Sequence, residues 1–235
     1  MPPPKNKLLR KLLRPFVLKV KTVKLISVVP EYGRTLSYTF SKPRGYQFTA
    51  GQYLHLVAPG EEIDKKTVRH MSIATSPLEE GLLISMDLSS ETPYKQKFEE
   101  LQVGEKVKIF SLSGSFTLEH LPEGRPVLFI AGGIGITPIR SLLKDIQLRG
   151  IHHPWTLIHV ASRGFLYEQT LSELDGTQYR IGRSEIEATL DACLQEGQKP
   201  TVFISGSESF ITSLTSMVMA RGIDETQICL ENFDH

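Results

Sequence analysis

The stretch that most restricts this chain is Leu128-Phe-Ile-Ala-Gly-Gly-Ile-Gly-Ile-Thr-Pro-Ile-Arg140. Leu128, Phe129 and Ile130 form a short apolar run, the pattern of a parallel strand covered on both faces. Gly132, Gly133 and Gly135 follow, where a backbone can take positive φ and come close to a ligand. Thr137 and Pro138 suit the N-cap and first position of a helix whose apolar face continues as Ile139, Leu142, Leu143 and Ile146. A helix N-terminus preceded by side-chain-free backbone favours an anion, through unpaired N–H groups and the helix dipole. Two readings stand here: a phosphate site, or a structural strand–turn–helix corner. The rest of the chain has to decide between them.

The 235 residues suffice for one large domain or two small ones. A net charge of +1 leaves no overall nucleic-acid footprint, so no nucleic-acid partner is expected. Cys193 and Cys229 are too few for a disulfide framework or for an iron–sulfur cluster. Redox chemistry here would therefore use an organic cofactor or a metal bound otherwise. No metal site is expected. No apolar run approaches the ~20 residues of a membrane span, and no signal-peptide core is present. The expectation is a soluble, cytoplasmic protein. Residues 1–15 form a basic arm, with Lys5, Lys7, Arg10, Lys11 and Arg14 beside leucines at helical spacing. Residues 5–14 read either as a foothold on an anionic membrane or acidic partner, or as a solvated arm whose leucines pack on the neighbouring barrel.

From Phe16 the pattern changes to period two. Val17–Val29 alternates, and short strands follow at Thr35–Phe40, Tyr53–Val57, His70–Ala74, Leu82–Leu88 and Lys106–Ile109, separated by Gly/Pro turns. That spacing predicts a small antiparallel barrel over residues 16–121. One helix interrupts it, with Thr92 as N-cap, Pro93 at its first position, and Tyr94, Phe98 and Leu101 on its buried face. Lys95 in the first turn opposes the dipole; it reads as a phosphate contact or as a lysine snorkelling into solvent. In Arg69-His-Met-Ser72 the arginine and serine stand an odd number of positions apart. On a regular strand they face opposite sides, so a ligand touching both wraps the strand end.

Residues 126–235 read as an α/β domain. Trp155–Ala161 is a second buried strand, and Ser162-Arg163 follows where nucleotides sit in open α/β sheets. Arg163 meets a ribose or 2′-phosphate, or else pairs with Glu168 or Glu173. Helices are expected at Leu166–Leu174, at Ile186–Leu194 and from Ser207 through Met219, with strands at Lys199–Ser205 and from Gln227 onward. Only Asp175–Ser184 stands between the first two helices, enough for a strand cut short at Tyr179–Ile181.

Taken in order, these stretches resemble the ferredoxin–NADP(+) reductase superfamily from Phe16 to the C-terminus, in its single-module form without an iron–sulfur domain. Phe48-Thr-Ala-Gly-Gln-Tyr53 is similar to the segment before the flavin site, Arg69-His-Met-Ser72 to the Arg-x-Tyr-Ser flavin signature, and Ser111-Leu-Ser-Gly-Ser-Phe116 to the Gly-Pro-x-Gly-x-Phe that closes the barrel. Ala131-Gly-Gly-Ile-Gly-Ile-Thr-Pro138 matches the nicotinamide-nucleotide motif in full. The resemblance implies a six-stranded antiparallel flavin barrel followed by a parallel-sheet, Rossmann-like nucleotide domain, with FAD between them and NADPH or NADH as electron donor.

By that resemblance, Arg69 pairs with the FAD phosphates, Thr92, Tyr94 and Lys95 hold the pyrophosphate, and His70, Met71 and Ser72 flank the flavin, with the Ser72 hydroxyl near N5. Met71 stands where the family carries the aromatic that stacks on the ring. Gly132, Gly133, Gly135, Thr137, Pro138, Ser162, Arg163 and Gly206 take the nucleotide. Phe233 or His235 covers the ring, and Glu231 is a polar partner near N5 or the carboxamide. The function implied is an NAD(P)H oxidoreductase passing electrons to a separate acceptor: a ferredoxin-like protein, a haem protein or a diffusible molecule. The alternative is a flavin-holding or partner-binding subunit with little turnover of its own. Met71, Ser205-Gly-Ser207 and the short 175–184 segment favour the alternative; the intact glycine motif opposes it.

Overall fold

A computed structural model describes residues 19–195 and 199–233. The basic arm and His235 fall outside them. Strict alternation makes the first half a sheet: β1 (Lys21–Pro30), β2 (Thr35–Phe40), β3 (Tyr53–Val57), β4 (Val68–Ser72), β5 (Leu82–Asp87) and β6 (Lys106–Ser113) run antiparallel in the order β4-β3-β6-β1-β2-β5. The sheet curls until its edges meet just beyond β4, where the Ala74 N–H donates to the Leu83 carbonyl at 2.8 Å. Leu25, Tyr38, Phe40, Leu54, Leu56 and Ile84 fill the interior. Helix α1 (Pro93–Glu99) is capped by Thr92, whose hydroxyl accepts from the Lys95 N–H, and it plugs one end with Tyr94 and Phe98. The Tyr94 hydroxyl donates to the Leu56 carbonyl at 3.1 Å and the Tyr38 hydroxyl to the Phe98 carbonyl at 3.0 Å, so both buried phenols are satisfied.

The second half is a five-stranded parallel sheet, ordered β11-β10-β7-β8-β9, built from β7 (Val127–Gly132), β8 (Trp155–Val160), β9 (Thr177–Ile181), β10 (Thr201–Gly206) and β11 (Ile228–Asn232). Helices α2 (Ile136–Arg149), α3 (Glu168–Ser172), α4 (Ile186–Cys193) and α5 (Glu208–Ala220) cover it. The central strand explains its unbroken apolar run. Phe129 and Ala131 pack on one side with α2, while Leu128 and Ile130 pack on the other with Phe210 and Leu214 of α5. The first of these cores also takes in Ala50, Ala74 and Phe116 from the barrel half, so the two halves share buried surface.

The structure differs locally from the sequence expectation, beginning with two strands: β4 runs Val68–Ser72 rather than His70–Ala74, and β6 continues to Ser113 rather than ending at Ile109. β9 is a complete five-residue strand paired in parallel with β8, not a strand cut short. α3 is shorter than Leu166–Leu174, because Tyr167 takes φ 61° and the helix starts only after it. Thr137 is not an N-cap. The chain turns into α2 earlier, through a single 3-10 turn at Gly133–Gly135, and Thr137 lies inside the first helical turn with its hydroxyl donating to the Ile134 carbonyl at 2.9 Å. The glycines permit that early tightening, since they carry no Cβ to obstruct it.

Candidate functional site

β4 divides its residues between two environments. Its register with β3 sets Leu54 opposite Met71 and Leu56 opposite Arg69, with Tyr53 opposite Ser72 and His55 opposite His70. Opposed residues share a face, and Leu54 and Leu56 belong to the barrel interior. Met71 accordingly packs against the barrel core. Arg69 lies at the barrel's end, its guanidinium 5.1 Å from the centre of the Tyr94 ring. Its Nη1 donates to the carbonyls of Lys65, Lys66 and Val68. This brings Arg69 to α1, where the Lys95 ammonium donates to the Ser90 hydroxyl at 2.7 Å.

His70 and Ser72 face the other way, onto a cleft of about 700 Å³ between the two halves. Tyr53, Ser113, Gly114 and Ser115 form its barrel wall; Glu208, Ile211, Leu230, Glu231, Asn232 and Phe233 form the opposite wall. Of the residues expected to flank a flavin ring, the cleft therefore collects His70, Ser72, Glu231 and Phe233, and Met71 is not among its lining. The aromatic surface on the barrel side comes instead from Tyr53 and His70, stacked at 5.0 Å. The Ser72 hydroxyl is buried and has no hydrogen-bond partner. A buried orphan hydroxyl costs free energy unless a ligand completes it, so the cleft fits a planar polar group such as a flavin. Burial raises the Glu231 carboxyl to about 7, far above the usual carboxylate value.

The glycine turn connects to this cleft through the end of β10. Gly133 holds φ 53°, a conformation that favours glycine. A Cβ at Gly135 would collide with the Ser205 carbonyl, so the turn lies directly on the end of β10. From there Gly206 accepts the Phe233 N–H at 3.2 Å, which ties the cleft's far wall to the same corner. The Ser207 hydroxyl caps α5. Beneath the turn lies His159, which the sequence reading did not single out. Its Nε2–H donates to the Gly133 carbonyl at 2.9 Å, and that carbonyl also accepts the Ile136 N–H. Burial lowers the His159 pKa to about 4, so the ring is neutral with its proton on Nε2, and Nδ1 is buried without a partner. A histidine facing a polar turn from an otherwise apolar strand was the available signal. Pro138 is buried in the first turn of α2.

Ser162 and Arg163 are exposed just past β8. Arg163 reaches across to the Ser89 hydroxyl at 3.4 Å, and Glu168 is met by Arg180 at 3.9 Å. Among the described residues no group of three or more His, Cys, Asp or Glu could hold a metal ion. Nor is any helix among them long and apolar enough to cross a membrane.

A ferredoxin NADP+ reductase from Neisseria gonorrhoeae, solved with bound FAD and NADP, superposes with a TM-score of 0.76 at 19% identity, covering 91% of this chain and 98% of that one. The likeness is one of fold: this chain has the architecture of that reductase, an antiparallel barrel followed by a parallel-sheet α/β half. No family model matches it. In sequence it is 27% identical over 188 residues to the flavohemoprotein of Halalkalibacterium halodurans, an overlap of 72% of this chain and 43% of that protein. It is 26% identical over 223 residues to the oxidoreductase NdmD of Pseudomonas putida, with 89% and 36% covered. The chain thus spans less than half the length of either curated relative.

Proposed function

We propose that this chain is an FAD-dependent NAD(P)H reductase that passes electrons to a separate acceptor. The observation that carries the reading is the contact between two sites: the glycine turn rests on the β10 corner that also anchors the far wall of the Ser72 cleft. Bound FAD supplies hydride acceptance from a nicotinamide nucleotide and onward release of electrons. The chain's own part is binding, orientation and exclusion of water. Arg69 and Lys95 place two cations beside α1, suited to a pyrophosphate. Ser72 offers its hydroxyl to the ring edge, and Tyr53 and Phe233 close the cleft from opposite walls. Glu231, half protonated near neutral pH, can donate or accept a hydrogen bond to the carboxamide or the ring.

On the nucleotide side, the turn's backbone at Gly132–Gly135 faces the phosphates, while Ser162 and Arg163 lie at the adenosine end. Gly206 lies beside the nicotinamide. The acceptor is a ferredoxin-like protein, a haem protein or a diffusible molecule. One relative is named as the reductase component of a propane 2-monooxygenase.

Anaerobic titration of the flavin-loaded protein with NADH and with NADPH tests this. The yellow absorbance bleaches with at least one of them, and the more efficient donor gives the nucleotide preference; a flavin that stays oxidised with both refutes the enzyme and favours the flavin-holding subunit. In Arg69→Ala, FAD occupancy falls; unchanged occupancy removes the phosphate role.

A further inference from the structure

Helix α2 does two things at once. It begins at the glycine turn, and one turn further on it grips the segment that follows the Ser72 strand. Arg140 is almost fully buried, and its Nη1 donates to the Ala74 carbonyl at 2.7 Å, two residues beyond Ser72. The same guanidinium forks onto the Glu79 carboxylate with two bonds of 3.0 Å and lies 5.3 Å from the centre of the Tyr167 ring. The next residue, Ser141, donates its hydroxyl to the Thr75 carbonyl at 2.6 Å and accepts the Gly51 N–H. Asp145, a turn later, accepts the Ser76 hydroxyl at 2.7 Å. Residues 74, 75 and 76 are therefore each bonded to successive positions of one helix. Ala74 also closes the barrel through its N–H to Leu83.

We infer that Arg140 is a positioning residue for hydride transfer: it fixes the nucleotide turn relative to the Ser72 edge of the flavin cleft. The inference rests on the reductase reading above. Four features of the arrangement fit alignment better than mere cohesion. The charge is buried yet paired by a bidentate carboxylate, which defines an angle as well as a distance. Its third bond goes to main chain, so it fixes backbone. Both elements it joins lead directly into the proposed donor and acceptor sites. Arg140, Glu79 and Ala74 do not line the Ser72 cleft, so their loss acts on alignment rather than on the cleft's own contacts.

The tests use flavin-loaded protein with NADH or NADPH in anaerobic stopped flow, and the flavin-free protein in hydrogen–deuterium exchange. Replacing Arg140 by Met removes the fork and the Ala74 bond. The reduction rate at saturating nucleotide is expected to fall by roughly tenfold to a hundredfold, as for a misplacement of about 1 Å. The nucleotide dissociation constant and the FAD content stay unchanged. Arg140→Lys restores the charge but not the fork, and it recovers only part of the rate. In the flavin-free protein, exchange rises together in segments 72–83 and 133–140. An unchanged rate overturns the inference, and so does a loss expressed entirely as weaker nucleotide binding. Exchange that rises in one segment only also overturns it.

If Arg140→Met does not fold, Glu79→Gln carries the test. It keeps the Ala74 bond and gives a smaller fall of the same kind, and an unchanged rate again overturns the inference. A wild-type protein that no nucleotide reduces refutes the reductase reading instead, and the exchange measurement then decides by itself whether Arg140 couples the two halves.

Discussion

At the scale of single residues, two titrating groups, the buried His159 and the partly buried Glu231, sit near the glycine corner, and they act on stability in opposite directions. Glu231 has its folded pKa raised to about 7 from 4.5 by burial. The folded state then holds its proton more tightly, so this contribution is complete below the unfolded value and is lost as pH rises toward 7. His159 has its folded pKa lowered to about 4 from 6.5 by burial. Its contribution is present above the unfolded value and is lost as pH falls from about 6.5 toward 4. Between roughly pH 4.5 and 6.5 the two slopes oppose each other, and each becomes visible in the other's variant. Chemical denaturation of the flavin-free protein should show stability rising with pH in Glu231→Gln and falling with pH in His159→Gln. Identical slopes in both variants would show that neither shift exists. The sequence revealed Glu231 because a family tail pattern marked it. It hid His159 and Arg140, whose roles depend on which carbonyl each side chain reaches across the fold.

At the scale of elements, the strand–turn–helix corner was legible almost to the residue, since glycine and proline punctuate the chain by steric rules that need no tertiary context. What sequence did not settle was the point where the helix starts. Thr137 has the chemistry of a cap, but three glycines upstream let the turn tighten first, and the hydroxyl then serves the Ile134 carbonyl. The corner also has almost no room. Replacing Gly135 by Val puts a branched side chain against the Ser205 carbonyl, and the turn has to move off β10. Nucleotide binding to the loaded protein should weaken by at least tenfold, on the order of 1.4 kcal/mol, with FAD content unchanged. Equilibrium titration reads the first and absorbance the second; full-strength nucleotide binding would remove the turn from the proposed site. β9 was read as shortened for a different reason. Its five residues lack an apolar run, and parallel pairing with β8 supplies the order that composition did not show.

At the scale of the whole molecule, both halves were visible as a switch from period two to buried runs, and the joint between them was not. Part of it is apolar, through Ala50, Ala74 and Phe116, and the rest is polar, with bonds that join residues far apart in the chain. Besides the α2 contacts, a line of hydroxyls runs from Tyr167 to Ser85 to Ser37, each at 2.6 Å, and ends on the Glu31 carboxylate, also at 2.6 Å. Tyr167→Phe leaves Ser85 with one fewer partner inside a buried network. The expected loss is about 1–3 kcal/mol, measured as a shift of the denaturation midpoint, and no loss would mean that water replaces the phenol without penalty.

The division of β4 has one further consequence. Residues 70 and 71 are neighbours in the chain, yet one opposes His55 at the cleft and the other opposes Leu54 in the barrel. Substitutions at the two positions therefore answer to separate pressures: position 70 can track whatever ring lies in the cleft, and position 71 the volume of the core. A one-residue insertion inside the strand is different in kind. It exchanges the two faces at a stroke, burying an imidazole and turning a thioether outward, so such a chain should tolerate single exchanges at positions 70 and 71 more readily than any change in the length of β4.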